Sequence, residues 1–368
     1  MLIPGFATFE GTERYHARFR TRLPNHFRRA HNLWISSIGL GTYLGEPTAT
    51  YDQLYTDAVM RAAQAGVNHF DSAINYRHQR SERSIGKALA AMFEAGTLRR
   101  DEVVLATKGG FLTFDGDEPA DPAAYFEEKL ISTGLVKPED VAAGCHVMAP
   151  AYLENQIEQS RQNLGVGSID IYYIHNPETQ LGDVSREEFY RRLRAAFETL
   201  ERAVADGKIR LYGTATWNAY RVGPEAREAI ALVNALAVAR EVGGDDHHFR
   251  AVQLPFSFAM PEALVAPTQE WENGRAPFLE VARARRLMVF ASASIMQGHL
   301  AKGLPMHIRN SFPREKSDAQ RAIQFVRSTP GITCALVGMC QRDHVDENLG
   351  TATVAPLTPE EFRAKFSK

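Results

Sequence analysis

The chain has 368 residues, of which 44% are hydrophobic and 23% are charged, as in an ordinary globular protein. A formal net charge of -2 gives no overall electrostatic reason to expect nucleic acid or an anionic membrane as a partner. No apolar run approaches the ~20 residues that span a bilayer, and the first residues lack the basic and apolar regions of a secretory signal. The three cysteines, Cys145, Cys334 and Cys340, have no paired spacing, which favours a reducing cytoplasm over a disulfide scaffold.

The N-terminal segment is rich in arginine and carries no acidic residue between Glu13 and Glu46. Such a composition is also found in organellar transit peptides. Pro24 and the scattered apolar residues disfavour the amphipathic helix that a transit peptide needs. We therefore expect residues 1–30 to form a structured arm packed on the body of the protein.

A repeating order of amphipathic helix, glycine and short apolar strand runs through the rest of the chain. Leu153, Ile157 and Leu164, for example, lie on one helical face before Gly165, which can end the helix in the left-handed conformation. Eight strands are predicted, near 35–40, 67–70, 103–106, 169–174, from 209, and at 249–254, 287–291 and 333–337. Because strict alternation implies a parallel sheet with helices outside, eight units in about 320 residues favour a closed (β/α)8 TIM barrel over an open sheet.

We expect a single barrel domain over residues 31–355, followed by a C-terminal tail over 356–368. The connection at 109–149, between the third and fourth strands, is far longer than an ordinary loop of an α/β unit. Loops of this length are usually functional, so this insertion is expected to act as a lid or to shape a binding site.

Three other motifs suggest sites and are set aside. The glycines within 39–45 have a spacing similar to that of a dinucleotide-binding loop, but no helix begins directly after them. Tyr125 and Lys129 have the spacing of the short-chain dehydrogenase pair but lack the serine that such enzymes carry upstream. The acidic and histidine residues at 245–248 are adjacent in sequence and rarely converge on one metal ion, so we expect no metal site.

Four polar residues lie at, or just after, the C-terminal ends of predicted strands: Asp71, Tyr76, Lys108 and His175. Active sites of α/β barrels are built at this end. A buried Lys108 requires a partner, which Asp71 can supply from the adjacent strand. An ammonium near a phenol favours the phenolate, so Tyr76 could act as an acid at neutral pH, while His175 could orient a carbonyl oxygen or share the proton. A phenol that protonates oxygen while hydride reaches carbon performs carbonyl reduction. Three of them also have a structural alternative: Asp71 as a helix cap, Lys108 as a surface lysine and His175 as a core histidine.

The segments that carry these residues resemble the aldo-keto reductase family. The matching segments are 38–43, 65–76, 81–86, 104–108, 170–175 and 207–213, with Val337, Gly338, Glu347 and Asn348 near the C-terminus. The resemblance implies a (β/α)8 barrel that binds NADPH, or more rarely NADH, without a Rossmann domain. It also implies that Tyr76 is the proton donor, with Asp71, Lys108 and His175 in support.

The cofactor positions that the resemblance implies differ in part from the family pattern. Ala215-Thr216 replaces the usual Ser-Asn pair, Ser292 replaces an aromatic residue, and Gln341 replaces a basic residue often found for the 2′-phosphate. NADP is the expected cofactor, and NAD is possible. The expected cofactor-binding residues are Gly41, Thr42, Tyr43, Asp71, Ala215, Thr216, Gln253, Ser292, Gly338, Arg342, His344, Glu347 and Asn348.

The tail after Asn348 is too short for the long substrate loop of some family members. The insertion is expected to replace that loop with its aromatic residues, Phe111, Phe114, Tyr125 and Phe126. We therefore expect an NADP-dependent reductase of a small aldehyde or ketone. One alternative is a non-catalytic, nucleotide-binding regulatory protein, as the potassium-channel β-subunits of the family largely are. Another is a redox-neutral isomerase or eliminase. The intact set of four polar residues favours the reductase.

Overall fold

The computed structural model describes residues 1–272 and 274–366. The strands are β1 (Phe27–Ala30), β2 (Leu33–Ser36), β3 (Ile38–Gly41), β4 (His69–Asp71), β5 (Val104–Gly109), β6 (Val141–Ala142), β7 (His146–Val147), β8 (Ile169–His175), β9 (Ile209–Ala215), β10 (Phe249–Pro255), β11 (Gln269–Trp271), β12 (Gly274–Ala276), β13 (Met288–Ser292) and β14 (Cys334–Gly338). The α-helices are α1 (Phe9–Phe19), α2 (Ala49–Gln64), α3 (Arg80–Glu94), α4 (Pro122–Phe126), α5 (Pro150–Leu164), α6 (Arg186–Ala205), α7 (Leu232–Gly243), α8 (Glu262–Val265), α9 (Phe278–Ala284), α10 (Met306–Ser311), α11 (Asp318–Ser328), α12 (Arg342–Leu349) and α13 (Pro359–Phe366).

Eight parallel strands close into a barrel in the order β3, β4, β5, β8, β9, β10, β13 and β14, and β14 pairs back with β3. A helix follows each of these strands; the eight helices that alternate with the strands are α2, α3, α5, α6, α7, α9, α11 and α12. The predicted (β/α)8 barrel is therefore confirmed. None of the helices that the structure describes has the length and apolar character needed to cross a membrane.

The core forms two layers because successive residues of a strand point to opposite faces. Val104, Ala106 and Ile171 are buried in the cluster that fills the barrel. Leu105 and Tyr172, their neighbours along β5 and β8, are buried in the larger cluster between the barrel and the helices. The barrel strands therefore read as continuous apolar runs, as expected for a parallel sheet covered on both faces.

The N-terminal arm contains an amphipathic helix, contrary to our expectation. The helix α1 buries Tyr15 and Phe19, and the Tyr15 hydroxyl donates a hydrogen bond to the main-chain carbonyl of Val67 over 2.8 Å. Pro24 lies beyond the end of α1 and does not interrupt it. Residues 9–19 alone are helical, and the residues around Pro24 lie in the turn that follows the helix.

The strand expected near 35–40 is in fact two strands. β2 pairs with β1 in an antiparallel hairpin, while β3 enters the barrel. Both residues of the hairpin turn, His31 and Asn32, have left-handed backbone conformations, with φ of 44° and 59°, as two-residue hairpin turns require. The boundary that we placed after residue 30 falls at this turn. Leu33 and Ile35 pack with Val104 inside the N-terminal end of the barrel, which the hairpin covers.

The insertion is folded. It contains α4, a π-helical turn at Glu127–Ile131 and the small hairpin of β6 and β7. The main-chain N–H of Val147 donates to the carbonyl of Gly110 over 2.7 Å, which ties this hairpin to the end of β5. Val136, Val147 and Tyr152 form a separate buried cluster between the insertion and α5.

A buried ion pair joins the first residues of the arm to the barrel. The guanidinium of Arg100 lies 2.8 Å from the Asp170 carboxylate, and their side chains are 6% and 2% exposed. The same carboxylate accepts hydrogen bonds from the main-chain N–H of Ala7 and of Leu105, at 2.7 and 2.8 Å. Asp170 therefore links three parts of the chain that are distant in sequence.

Replacing Asp170 with asparagine is expected to lower the free energy of unfolding by about 3–5 kcal/mol, because the Arg100 guanidinium stays buried without its counter-charge. Urea unfolding followed by circular dichroism measures the change. The matched control is Glu128→Gln, since Glu128 pairs with Lys129 on the exposed surface of the insertion, where ion pairs contribute little. Indistinguishable unfolding curves for the two variants would show that the Arg100–Asp170 pair contributes little to stability.

Candidate active site

The four polar residues expected at strand ends meet at one end of the barrel. Asp71 and His175 are the last residues of β4 and β8, and Lys108 is the last but one of β5. Tyr76 follows β4 by five residues, in the turn that leads to α3. Because all barrel strands run in the same direction, their C-terminal ends place these side chains around a common cleft.

Lys108 and Asp71 form a buried ion pair at the base of this cleft. The ammonium of Lys108 donates to the Asp71 carboxylate and to the main-chain carbonyl of Ser72, both over 2.6 Å, and Lys108 is 0% exposed. The second carboxylate oxygen of Asp71 accepts from the side-chain amide of Gln253 over 2.7 Å. With two firm hydrogen bonds on its carboxylate, Asp71 is held in one orientation and neutralises the lysine charge.

Tyr76 lies between this ion pair and His175. The Lys108 ammonium is 4.8 Å from the centroid of the Tyr76 ring. The Tyr76 and His175 rings meet edge to face, with centroids 5.7 Å apart, and Tyr43 contacts Tyr76 in the same manner at 5.1 Å. The phenol and the imidazole are therefore in contact, and the buried ammonium lies close behind the phenol ring.

The electrostatics of the cleft differ in one respect from our expectation. Burial raises the pKa of Tyr76, the Lys108 charge opposes this rise, and the net direction is upward. We expected the ammonium to favour the phenolate, but desolvation outweighs it, so Tyr76 is a neutral phenol at physiological pH. Burial lowers the pKa of Lys108, but Asp71 and Tyr76 more than offset it, and the lysine stays charged.

His175 is neutral. Burial lowers the pKa of its imidazole well below the usual value, and the charge of Lys108 adds to this effect. A neutral imidazole can donate or accept a hydrogen bond but is a poor source of a proton. Of the two roles that we considered for His175, orienting an oxygen atom fits its charge state better than sharing the proton.

The cleft has a volume of about 660 Å³. Besides Tyr76 and His175, it is lined by nine of the residues expected to bind cofactor: Gly41, Thr42, Tyr43, Asp71, Ala215, Thr216, Gln253, Ser292 and Gly338. Lys108 lies behind Asp71 and does not line the cleft. Parallel strand order alone accounts for this convergence, since each of the nine lies at or near the C-terminal end of a barrel strand.

A sequence model of the aldo/keto reductase family matches residues 37–230, which include all four polar residues. The chain belongs to the aldo/keto reductase family. The match begins just before β3 and ends before α7, so it covers the strands that carry the four polar residues.

Relatives and solved structures agree with this membership. An uncharacterized oxidoreductase of Bacillus subtilis (strain 168), YqkF, is 22% identical over 343 residues, or 90% of this chain and 92% of that protein. The NADH-specific methylglyoxal reductase of Escherichia coli (strain K12) is 26% identical over 193 residues, or 51% of this chain and 50% of that protein. The structure of an aldo-keto reductase from Klebsiella pneumoniae in complex with NADPH has a TM-score of 0.61 at 20% identity and covers 93% of both chains. At that identity, the structural likeness shows the shared fold.

Four residues expected at the cofactor site do not line the cleft. Arg342, His344 and Glu347 are exposed on α12, beyond Gly338. Asn348 is buried, and its amide lies 3.7 Å from the sulfur of Met339. A role of these residues at the adenosine end of a cofactor stays a prediction.

Of the four insertion aromatics, one reaches the cleft. Phe111 lines the cleft and packs edge to face on His175, with ring centroids 5.0 Å apart. Phe114, Tyr125 and Phe126 instead pack on one another, with Phe114 stacked on Phe126 at 4.9 Å, and they do not line the cleft that the structure describes. Of the four, Phe111 alone contributes to the cleft that the structure describes, and a substrate role for the insertion stays a prediction.

Sequence reasoning missed a set of wall residues, most of which lie in the loops after strands. They are Leu44, Asn75, Asn176, Trp217, Ala293, Ser294, Ile295, Met296, Gln297, His299 and Leu336. All of them lie at or within a few residues of the C-terminal end of a barrel strand, and that position was the signal that could have found them. The loop after β13 is also irregular, since Ala293, Met296 and Gln297 have positive φ values of 54°, 49° and 52°. Such strain in non-glycine residues is concentrated at ligand sites.

Proposed function

We propose that this protein is a nicotinamide-dependent reductase that converts the carbonyl group of a small aldehyde or ketone to an alcohol. The observation that carries the proposal is a neutral phenol, Tyr76, beside a buried ammonium and a neutral imidazole in one cleft. The phenol of Tyr76 can supply a proton, and the neighbouring ammonium can stabilise the negative charge of the phenolate that remains. Membership of the aldo/keto reductase family supports the same reaction class.

The polar atoms of the cleft fit a nicotinamide dinucleotide. Gln253 donates its side-chain N–H to Asp71, and its side-chain oxygen Oε1 accepts no hydrogen bond from a described residue, so Oε1 is available to a carboxamide N–H. The buried Oδ1 of Asn75 and Nδ1 of His175 also have no partner among the residues described, and polar ligand atoms could satisfy them. The strained loop at 293–297 and Ser292 form the next part of the wall.

NADP is the cofactor that we propose, with NAD as a possible substitute. The Klebsiella pneumoniae neighbour is described in complex with NADPH, whereas the Escherichia coli relative is described as NADH-specific. When bound, the reduced nicotinamide supplies a hydride. Isothermal titration calorimetry with NADPH and NADH tests this part of the proposal, and no heat of binding for either at millimolar concentration would refute it.

The residues of the chain provide the proton side of the reaction. Tyr76 holds a proton on its hydroxyl oxygen and donates it to the substrate oxygen as a general acid. The Lys108 ammonium then stabilises the phenolate that remains, at a distance of 4.8 Å from the ring centroid. Asp71 keeps Lys108 in place through its 2.6 Å hydrogen bond, and neutral His175 orients the substrate oxygen.

The wall of the cleft favours an uncharged substrate. Among the residues described as lining it there is no arginine or lysine, and the carboxylate of Asp71 is already paired with Lys108. Tyr43, Phe111 and Trp217 supply aromatic surface, and Tyr43 and Trp217 are 57% and 46% exposed in the open cleft. A carboxylate on the substrate would find no cation there and would lose hydration on entry.

We therefore expect para-carboxybenzaldehyde to be reduced with a kcat/KM at least about tenfold below that of its methyl ester. Burying its carboxylate without a cation costs more than the ~1.4 kcal/mol that corresponds to a tenfold change in rate. The two aldehydes are similar in size, and the ratio of their rates of reduction by borohydride in water corrects for the stronger electron withdrawal of the ester. Steady-state loss of nicotinamide absorbance measures both rates. Equal or higher kcat/KM for the acid would show that the cleft accepts anions.

A further inference from the structure

The insertion places a second histidine behind His175. His146, the first residue of β7, is 0% exposed, and its Nε2 lies 2.7 Å from the main-chain carbonyl oxygen of His175. Phe111 lies between the two histidines and meets both rings edge to face at 5.0 Å. One residue of the insertion therefore contacts both the backbone of His175 and the aromatic wall beside it.

The carbonyl of His175 needs this partner because the chain leaves the sheet there. Asn176, the next residue, has a left-handed backbone with φ of 45°, and its N–H makes the final bond to β9 through the carbonyl of Ala215 at 2.6 Å. The hydrogen bond from His146 thus fixes the backbone where β8 leaves the sheet. The backbone at this position also sets the direction of the His175 side chain.

A hydrogen-bond chain determines which nitrogen of His146 carries the proton. The amide nitrogen of Gln180 donates to His146 Nδ1 over 2.9 Å, and the amide oxygen of Gln180 accepts from the guanidinium of Arg192 over 2.7 Å. Because Arg192 can only donate, the orientation of the Gln180 amide is set, and His146 must accept at Nδ1 and donate from Nε2. Burial also lowers the pKa of His146 to about 4, so this neutral tautomer persists at physiological pH.

We propose that His146 is a positioning residue, through which the insertion sets the placement of His175 and Phe111 relative to Tyr76. The inference rests on the proposed function, in which His175 orients the substrate oxygen. His146 does not line the cleft and acts through the backbone of His175. The segment at 109–149 would then hold His175 in position and would not act mainly as a lid.

The test compares two substitutions of His146. His146→Gln keeps a donor near the position of Nε2, whereas His146→Phe keeps an aromatic ring and removes the donor. We expect His146→Phe to lower kcat about tenfold with little change in the KM for cofactor, and His146→Gln to stay within about threefold of the original enzyme. His307→Phe, the same change at an exposed position of α10, is the matched control and should have no effect.

Equal kcat for both His146 variants, whether at the original level or equally reduced, would overturn the proposal. If His146→Phe fails to fold, Gln180→Leu provides the second variant. It removes the amide that fixes the proton on Nε2 of His146, while Arg192 keeps its ion pair with Glu188 at 2.8 Å. Loss of kcat in Gln180→Leu supports the proposal, and unchanged kcat contradicts it.

A measurement without turnover separates this inference from the proposed function. Histidine-labelled protein gives ring nitrogen signals by NMR, and the signal of His175 is assigned with His175→Asn. We expect the His175 signals to shift in His146→Phe and to keep their positions in His146→Gln. Absence of any carbonyl reduction by the original protein would refute the proposed function alone, whereas unmoved His175 signals in His146→Phe would refute the positioning role.

Discussion

Replacing Tyr76 with phenylalanine is expected to lower kcat by about 10²–10⁴-fold, the usual contribution of a general acid. The substitution removes one hydroxyl group and keeps the ring that packs against Tyr43 and His175 at 5.1 and 5.7 Å. The fold and the affinity for cofactor should therefore be unchanged. Because the lost group acts on the substrate oxygen during the reaction, the effect should appear in kcat and much less in KM.

Steady-state kinetics on any substrate found in a scan of carbonyl compounds measures this effect. Tyr125→Phe is the matched control, since Tyr125 belongs to the insertion cluster outside the cleft. Melting temperature and cofactor titration should be the same for both variants. A Tyr76→Phe variant with nearly the original kcat would mean that another group provides the proton.

Replacing Lys108 with methionine is expected to reduce kcat to a comparable degree and to destabilise the fold as well. The substitution removes the charge that stabilises the Tyr76 phenolate and leaves the Asp71 carboxylate buried with one remaining side-chain partner, Gln253. A variant with both Asp71→Asn and Lys108→Met contains no unpaired buried charge. We expect the double variant to recover stability relative to Lys108→Met, but not activity.

The pH dependence gives a second readout of Lys108. The charge of Lys108 lowers the pKa of Tyr76, so its removal should raise that pKa further. Carbonyl reduction needs protonated Tyr76 and is retained below this pKa, whereas alcohol oxidation needs the phenolate and increases through it. The alkaline limb of the reduction profile should therefore move to higher pH in Lys108→Met. A limb that stays in place would show that the two residues are not coupled.

The barrel and the convergence of the four polar residues could be predicted because both follow from short-range patterns in the sequence. Helical spacing followed by an apolar strand recurs along the chain, with a glycine between helix and strand in six cases. Residues such as Asp71 and His175 that end parallel strands must lie at the same end of the barrel. The opening hairpin was harder to predict. Its left-handed turn at His31 and Asn32 carries no glycine, so the sequence shows no break between the strands there.

Other features depend on the assembled structure. The pKa of Tyr76 rises because burial outweighs the nearby ammonium, and the degree of burial is decided by segments distant in sequence. Phe111 could not be distinguished from Phe114 in the sequence, since both are insertion aromatics within a few residues of β5. Their separation follows from the bridge between Phe111 and His146, which turns Phe111 alone toward the cleft.

Deuterium transfer is the most direct test of the central claim. The protein is incubated with a carbonyl compound and NADPH carrying deuterium on the transferable position of its nicotinamide, and the alcohol is analysed by mass spectrometry and NMR. We predict that deuterium appears on the carbinol carbon of the product, and that Tyr76→Phe sharply slows its appearance. Turnover of the substrate without deuterium in the product would indicate a redox-neutral reaction and would contradict the proposed reductase.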